Sequence, residues 1–201
     1  MKKILTLLAL FLITVSTQAQ DLNLLDSIKA TNGRIMSFEA DLSNTLVNPK
    51  KTSSQEGKLY FVAPYEFAAM FKTGKFMIVN EHRIKMDIGL FHGTFKLREG
   101  GMMQSLGNIF LFGFQGRIQE LADENGYNMV TETKDGFHII NCTTRKKKLI
   151  GIGYKQVIFK FLADSLLLKE IVLFDYSGDM DTYTISNVKY DVAVDPKKFI
   201  F

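Results

Sequence analysis

The side chains able to do chemistry are few and scattered. Three histidines, His82, His92 and His138, share no metal-ligand spacing with one another or with the single cysteine, Cys142. Each histidine falls in a strand or turn position where an exposed polar residue is expected. Asp179 and Asp181 flank Met180 just after Gly178, a placement that decorates a hairpin turn more simply than it builds an acid/base pair. No G-x-S-x-G elbow occurs. Gly151-Ile152-Gly153 resembles part of a phosphate loop but lacks the third glycine and the following helix. Asn141-Cys142-Thr143 fits the glycosylation sequon, a short pattern common by chance. Arg145 to Lys148 is a basic run that reads as a solvated loop edge or as a docking point for a membrane-bound partner. No catalytic residue, metal or cofactor is expected, and the chain does not read as an enzyme.

The amino terminus narrows the setting instead. Lys2 and Lys3 precede an apolar run from Ile4 to Val15, with Thr17 and Ala19 at the small-residue positions of a cleavage site. That run is too short for the roughly 20 residues that span a bilayer. Residues 1–19 are therefore expected to be a cleaved signal peptide, and no cysteine follows the cut to accept a lipid anchor. A soluble periplasmic product beginning at Gln20 meets no nucleotide pool and no chromosome, which removes kinases, dinucleotide enzymes and transcription factors. Without Lys2 and Lys3 the net charge falls from +4 to +2, too little to predict binding to nucleic acid or anionic lipid. Cys142 has no partner for an internal disulfide, so stability must come from a core. Residues 20–201 fit one domain, expected to be monomeric.

Most of that domain alternates with period two. A short helix is expected first, with Leu22, Leu25 and Ile28 on one face, Asp21 as cap and Gly33 as stop. Leu59 and Phe61 then alternate with Lys58 and Tyr60; Phe67, Ala69 and Phe71 with Glu66, Ala68 and Lys72; Ile84, Met86 and Ile88 with Arg83, Lys85 and Asp87; Phe91, Phe95 and Leu97 with His92, Lys96 and Arg98. Pro64, Gly74, Asn80 and Gly89 mark the turns. Further strands are expected near Tyr127 to Thr133, Phe137 to Thr143, Tyr154 to Leu162, Leu166 to Tyr176 and Asp181 to Asp191, with a short one at Phe199 to Phe201. The total is about ten or eleven strands in an antiparallel meander.

Gly101 to Asn125 breaks this rhythm. Met102, Leu106, Ile109, Phe110, Gly113, Ile118 and Leu121 recur at helical spacing, and the first half is apolar nearly all round. Such a helix must be covered on every side. It could be buried inside a curled sheet, form a partner interface, or close over a bound apolar molecule. Met and Phe at this density suit a surface that repacks, and Gly107, Gly113 and Gly116 each lower helix stability by roughly 1 kcal/mol relative to Ala.

Three stretches carry a resemblance. They are Ser37-Phe38-Glu39-Ala40-Asp41-Leu42, then Gly57-Lys58-Leu59-Tyr60-Phe61-Val62-Ala63-Pro64-Tyr65-Glu66-Phe67, and the ending Val192-Ala193-Val194-Asp195-Pro196-Lys197-Lys198-Phe199-Ile200-Phe201. In order and spacing, behind a signal peptide, the chain resembles the periplasmic outer-membrane lipoprotein carriers, the LolA-like family, and Gly101 to Asn125 is similar to the helical lid of its Bacteroidetes-type branch. The resemblance implies a mainly β fold: an incomplete antiparallel barrel with an N-terminal helix and a central helical lid plugging the concave face. It also implies a chaperone that takes acylated lipoproteins from an inner-membrane ABC exporter to an outer-membrane acceptor, sheltering their acyl chains. A related branch serves glycolipid pathways, so a non-protein lipid is the alternative cargo and a structural envelope protein the alternative class. Two places depart from the pattern. Ala63 stands where members carry an arginine that holds the lid, so closure is expected to depend on packing, and the chain stops at Phe201 where some members continue.

On this reading Leu59, Phe61, Phe67, Phe71, Ile84, Met86, Phe91 and Phe95 line the lipid cavity, while Met102, Met103, Leu106, Ile109 and Phe110 form the lid. It requires more apolar surface inside the sheet than the chain itself can fill. A charge at Ile109 or Phe110 is then expected to abolish cargo retention with little loss of folding.

Overall fold

A computed structural model describes residues 22–88, 91–98, 101–145 and 153–201. The expected signal peptide, the expected Asp21 cap, Gly89, Gly151-Ile152 and most of the Arg145 to Lys148 run lie outside the described residues. The chain opens with helix α1, residues 22–32. Leu25 and Ile28 are buried on it, whereas Leu22, expected on the same face, is exposed in the first turn. The helix stops where expected: Gly33 N–H donates to the Lys29 carbonyl at 2.8 Å. Asn32 ties this end down, its Nδ2 donating to the carbonyls of Ile28 at 2.9 Å and Leu166 at 2.8 Å.

Eleven strands follow: β1 (Ser37–Asn48), β2 (Lys51–Val62), β3 (Glu66–Phe71), β4 (Phe76–Val79), β5 (Arg83–Ile88), β6 (Phe91–Lys96), β7 (Tyr127–Lys134), β8 (Phe137–Thr144), β9 (Tyr154–Leu162), β10 (Leu168–Asp175) and β11 (Met180–Tyr190). Helices α2 (Met102–Gln115) and α3 (Ile118–Asn125) sit between β6 and β7. All strands join one antiparallel sheet in the order β6-β5-β4-β3-β2-β1-β11-β10-β9-β8-β7. Two meanders are thus sewn together by the first and last strands, and β6 and β7 remain as free edges. The sheet curls without closing, an incomplete barrel with its helices inside the curve.

Alternation assigns the faces. In β9, Val157, Phe159 and Phe161 are fully buried while the residues between them are half-exposed. Strand β3 differs because Ala68, on its outer face, is buried too. The reason lies at the carboxy terminus, where the expected short strand is instead a 3-10 turn, Pro196–Phe199. Asp195 caps that turn by accepting from Lys197 N–H at 3.0 Å. The turn lays Phe199 over Ala68 and Ile78 as a small second core on the convex side.

Candidate functional site

The concave face and α2 make one continuous apolar body. Leu59, Phe61, Phe67, Phe71, Ile84 and Met86 are all buried on the inner side of β2 to β5, with Phe95 packed against them partly exposed. Leu106, Ile109 and Phe110 of α2 are buried in the same cluster, and Met103 lies at its margin. The side chains of Phe91 and Met102 lie outside what the structure describes. From Ile109 to Gly116 every residue is buried, so of the three explanations for this helix the observed one is burial within the curled sheet.

Several residues that matter most here were not singled out by the sequence reading. Phe114 is the hub of an aromatic cluster: its ring meets Phe38 at 5.4 Å, Phe61 at 5.4 Å and Phe67 at 5.6 Å, each near edge-on. Phe110 reaches Phe67 at 5.3 Å and Tyr183 at 5.1 Å. The far wall comes from β9 to β11 through Phe159, Ile171 and Tyr183. The alternation of Val157, Phe159 and Phe161 was visible in sequence, but nothing there said that two distant halves of the chain share one hollow.

Among the described residues, one void between α2 and the wall, bordered by Leu42, Phe67, Phe110, Phe114, Ile171 and Tyr183 among others, is about 10 Å³. That holds one water molecule and no hydrocarbon chain. Gly113 shows how closely the surfaces meet, since a Cβ there would lie 2.9 Å from Phe159 Cε1 and 3.3 Å from Ile171 Cδ1. The glycines are therefore not uniformly sources of softness. Gly113 is a contact point, and Gly116 is the left-handed cap that ends α2, with φ 67°.

Polar restraints on α2 are sparse by comparison. Its N-cap is Gly101 with no side-chain hydrogen bond, and neither an acid in the first turn nor a base in the last offsets the helix dipole. Ser105 Oγ donates to Asn125 Oδ1 at 2.7 Å and Asn108 Nδ2 to Glu124 Oε2 at 3.2 Å, both within the α2–α3 pair. Among the described residues, the side-chain hydrogen bond from α2 to the sheet is Gln115 Nε2 to the Pro64 carbonyl, 2.8 Å. Packing is thus not all that holds α2: beside Ala63, a hydrogen-bonded latch runs from the helix to Pro64 in the turn that follows β2.

Around the latch, Arg117 stacks on Phe112 at 4.3 Å and donates to Gln115 Oε1 at 3.4 Å and, through Nε, to Glu120 Oε2 at 2.9 Å. Lys29 of α1 holds the other Glu120 oxygen at 2.8 Å. Hydrogen bonds from Arg117 and then Lys29 bring the Glu120 carboxyl down to about 2.

A second polar group lines the hollow toward the β1–β2 hairpin. Asn44 Nδ2 donates to Asp181 Oδ1 at 2.6 Å, Tyr183 hydroxyl donates to Asp181 Oδ2 at 3.3 Å, and Gln55 Nε2 donates to Asn44 Oδ1 at 3.0 Å. Burial raises the Asp181 carboxyl above its usual range, against these bonds, and pushes the Tyr183 hydroxyl well up. Asp179 and Asp181 are thus not equivalent ornaments of a turn, because Asp181 points inward.

Cys142 is buried in the β8 core, and desolvation pushes its thiol up to about 12, which leaves it without thiolate character. His92 faces Asp87 at 2.6 Å and His138 faces Thr133 at 2.8 Å on the surface. Among the described residues no group of three or more His, Cys, Asp or Glu could hold a metal ion, and no helix is long and apolar enough to cross a membrane.

No family model and no curated protein matches the chain. Solved structures similar to it include a DUF1329 family protein from Desulfovibrio piger, 14% identical with a TM-score of 0.48, covering 89% of this chain and 95% of that one. A LolA superfamily protein from Nitrosomonas europaea is 9% identical with a TM-score of 0.43, covering 90% and 97%. A candidate outer membrane lipoprotein-sorting protein domain from Vibrio parahaemolyticus is 11% identical with a TM-score of 0.49, covering 89% and 95%.

Proposed function

We propose that this protein is a periplasmic carrier of acylated lipoproteins and that the structure is its unloaded, closed state, with α2 occupying the place of the cargo. The observation that carries the reading is the mismatch at α2, which is buried from Ile109 to Gly116 yet tied to the sheet by one side-chain hydrogen bond among the described residues. Exposing Leu106, Ile109, Phe110, Leu111, Phe112 and Phe114 to water costs on the order of 10 kcal/mol, at about 1.5 to 3 kcal/mol per side chain. A helix held in this way opens only when something equally apolar takes its place. An acyl chain of about fifteen methylenes regains about 12 kcal/mol at about 0.8 kcal/mol each, which matches the cost. Cargo is then exchanged for helix rather than added to an empty hollow, and release is the reverse exchange. Loading from an inner-membrane ABC exporter and delivery to an outer-membrane acceptor follow from the sequence resemblance. The wall residues Leu59, Phe61, Phe67, Phe71, Ile84 and Met86 contact the chains, and Met103, Leu106, Ile109 and Phe110 leave them.

Native mass spectrometry of the protein isolated from its own periplasm tests this. Bound lipoprotein is the expected result. A bound glycolipid moves the function to a non-protein lipid. An empty protein whose α2 amides exchange only on global unfolding rejects the carrier reading in favour of a structural role.

A further inference from the structure

Beside the latch, the last turn of α1 and the corner between α2 and α3 border an open cleft of about 570 Å³. Lys29, Arg34, Gln115 and Arg117 line it, with Asp26 the acid among its walls. Glu120 holds Lys29 through one oxygen and Arg117 through the other. Three cations therefore face two acids, and exposed Arg34 has no carboxylate partner among the described residues. We propose that this cleft binds a phosphate group, from a lipid headgroup or as the free ion, and that its occupancy loosens the α2 latch.

The chemistry follows from the donors. A guanidinium presents a planar fork that matches two phosphate oxygens, and a lysine adds a point charge. Glu120 already shows that Lys29 and Arg117 can converge on the two oxygens of one anion. A phosphate between Arg34 and Arg117 replaces the missing partner of the first and competes with Glu120 for the second. Its effect travels through Gln115, which receives a hydrogen bond from Arg117 Nη1 at its oxygen and gives one to the Pro64 carbonyl from its nitrogen. Drawing Arg117 into the cleft removes the bond that orients this amide, at the one side-chain tie between α2 and the wall among the described residues. The consequence for loading rests on the carrier reading. The site and its coupling to α2 do not.

The test is a titration of the full chain, first with inorganic phosphate and then with monomeric dihexanoylphosphatidylglycerol. The Arg34 and Arg117 Nε–H signals are followed by NMR, and amide exchange is followed through residues 102–116. Saturable shifts of both arginines with faster exchange in α2 are expected. Arg34→Gln is expected to weaken binding about tenfold, the loss of about 1.4 kcal/mol, at unchanged melting temperature. Tighter binding of the lipid than of phosphate, dependent on Arg34, identifies a headgroup. Equal affinities identify the free ion. Shifts that sodium chloride reproduces at equal ionic strength, or binding that leaves α2 exchange unchanged, overturn the proposal. Neither outcome touches the carrier reading, which stands or falls on the apolar cargo recovered from the periplasm.

Discussion

Gln115 reaches from the last turn of α2 to the backbone carbonyl of Pro64, 2.8 Å away, across the turn that joins β2 to β3. The side chain is itself buried, so its amide must be satisfied where it stands. One bond thereby fixes the end of the helix to the rim of the sheet.

Gln115→Leu keeps the bulk and removes the donor. It leaves the Pro64 carbonyl unpaired and is expected to lower stability by about 1 to 2 kcal/mol. Hydrogen exchange separates a latch from a general contact. Residues 102–116 should lose protection while β8 to β10 keep theirs relative to global unfolding, and equal losses everywhere would remove the latch from the account.

Phe110 gives a sharper test of what α2 is. Its ring packs on Phe67 and Tyr183 and is 4% exposed, and Ile109 is 1% exposed. An unpaired charge at either place, among these aromatic rings, is therefore expected to cost folding as well as cargo retention. Phe110→Ala is the usable variant, with a loss of about 3 to 5 kcal/mol by denaturant titration. If acyl chains replace the helix, the variant's deficit relative to the natural protein should vanish when both are loaded. A deficit that persists in the loaded protein would mean that Phe110 never leaves the core.

Gly107 is the glycine of α2 with room beside it. An added Cβ would meet only the Val79 methyls at 3.7 and 3.8 Å, ordinary contact distances. Gly107→Ala should therefore stabilise the closed state by about 0.5 to 1 kcal/mol through helix propensity alone. The same change at Gly113 should destabilise it, since Phe159 stands in the way. Paired melting curves check the opposite signs, and the carrier reading adds that Gly107→Ala slows cargo uptake.

The sheet was legible because its strands alternate and its turns are punctuated. Leu59 and Phe61, Phe67 and Phe71, and Ile84 and Met86 could be assigned to one face from period alone, and the structure places them in one core. The closing pair β1 with β11 could not, since no local pattern says that Phe38 lies opposite Tyr190. Gln115 escaped for a similar reason. In sequence it is one polar residue after an apolar run, and only the return of Pro64 to the same rim gives it a partner. The close approach of α2 to the far wall at Gly113 was not legible either, because composition counts apolar residues but does not measure where a helix and two half-sheets touch.

Asp181 and Glu120 predict opposite pH dependences in one molecule. Glu120 is held at about 2 by Arg117 and Lys29, below its value of 4.5 in the unfolded chain. It contributes stability at neutral pH that disappears as the pH falls from about 4.5 toward 2, where the folded state must take up the proton it had resisted. Asp181 is raised by burial above its unfolded value of 3.8. Its contribution is present below that value and is lost as the pH rises through the raised folded pKa, because the folded state then gives up a proton it preferred to keep. Glu120→Gln should flatten the acid limb of the melting-temperature profile and lower the plateau. Asp181→Asn keeps an oxygen for the Asn44 amide and should raise the melting temperature at neutral pH, with no gain at pH values below 3.8. A plateau unchanged by Asp181→Asn would place the Asp181 carboxylate in contact with water, and the hollow would then be open at the β1–β2 hairpin end rather than sealed by Asn44 and Tyr183.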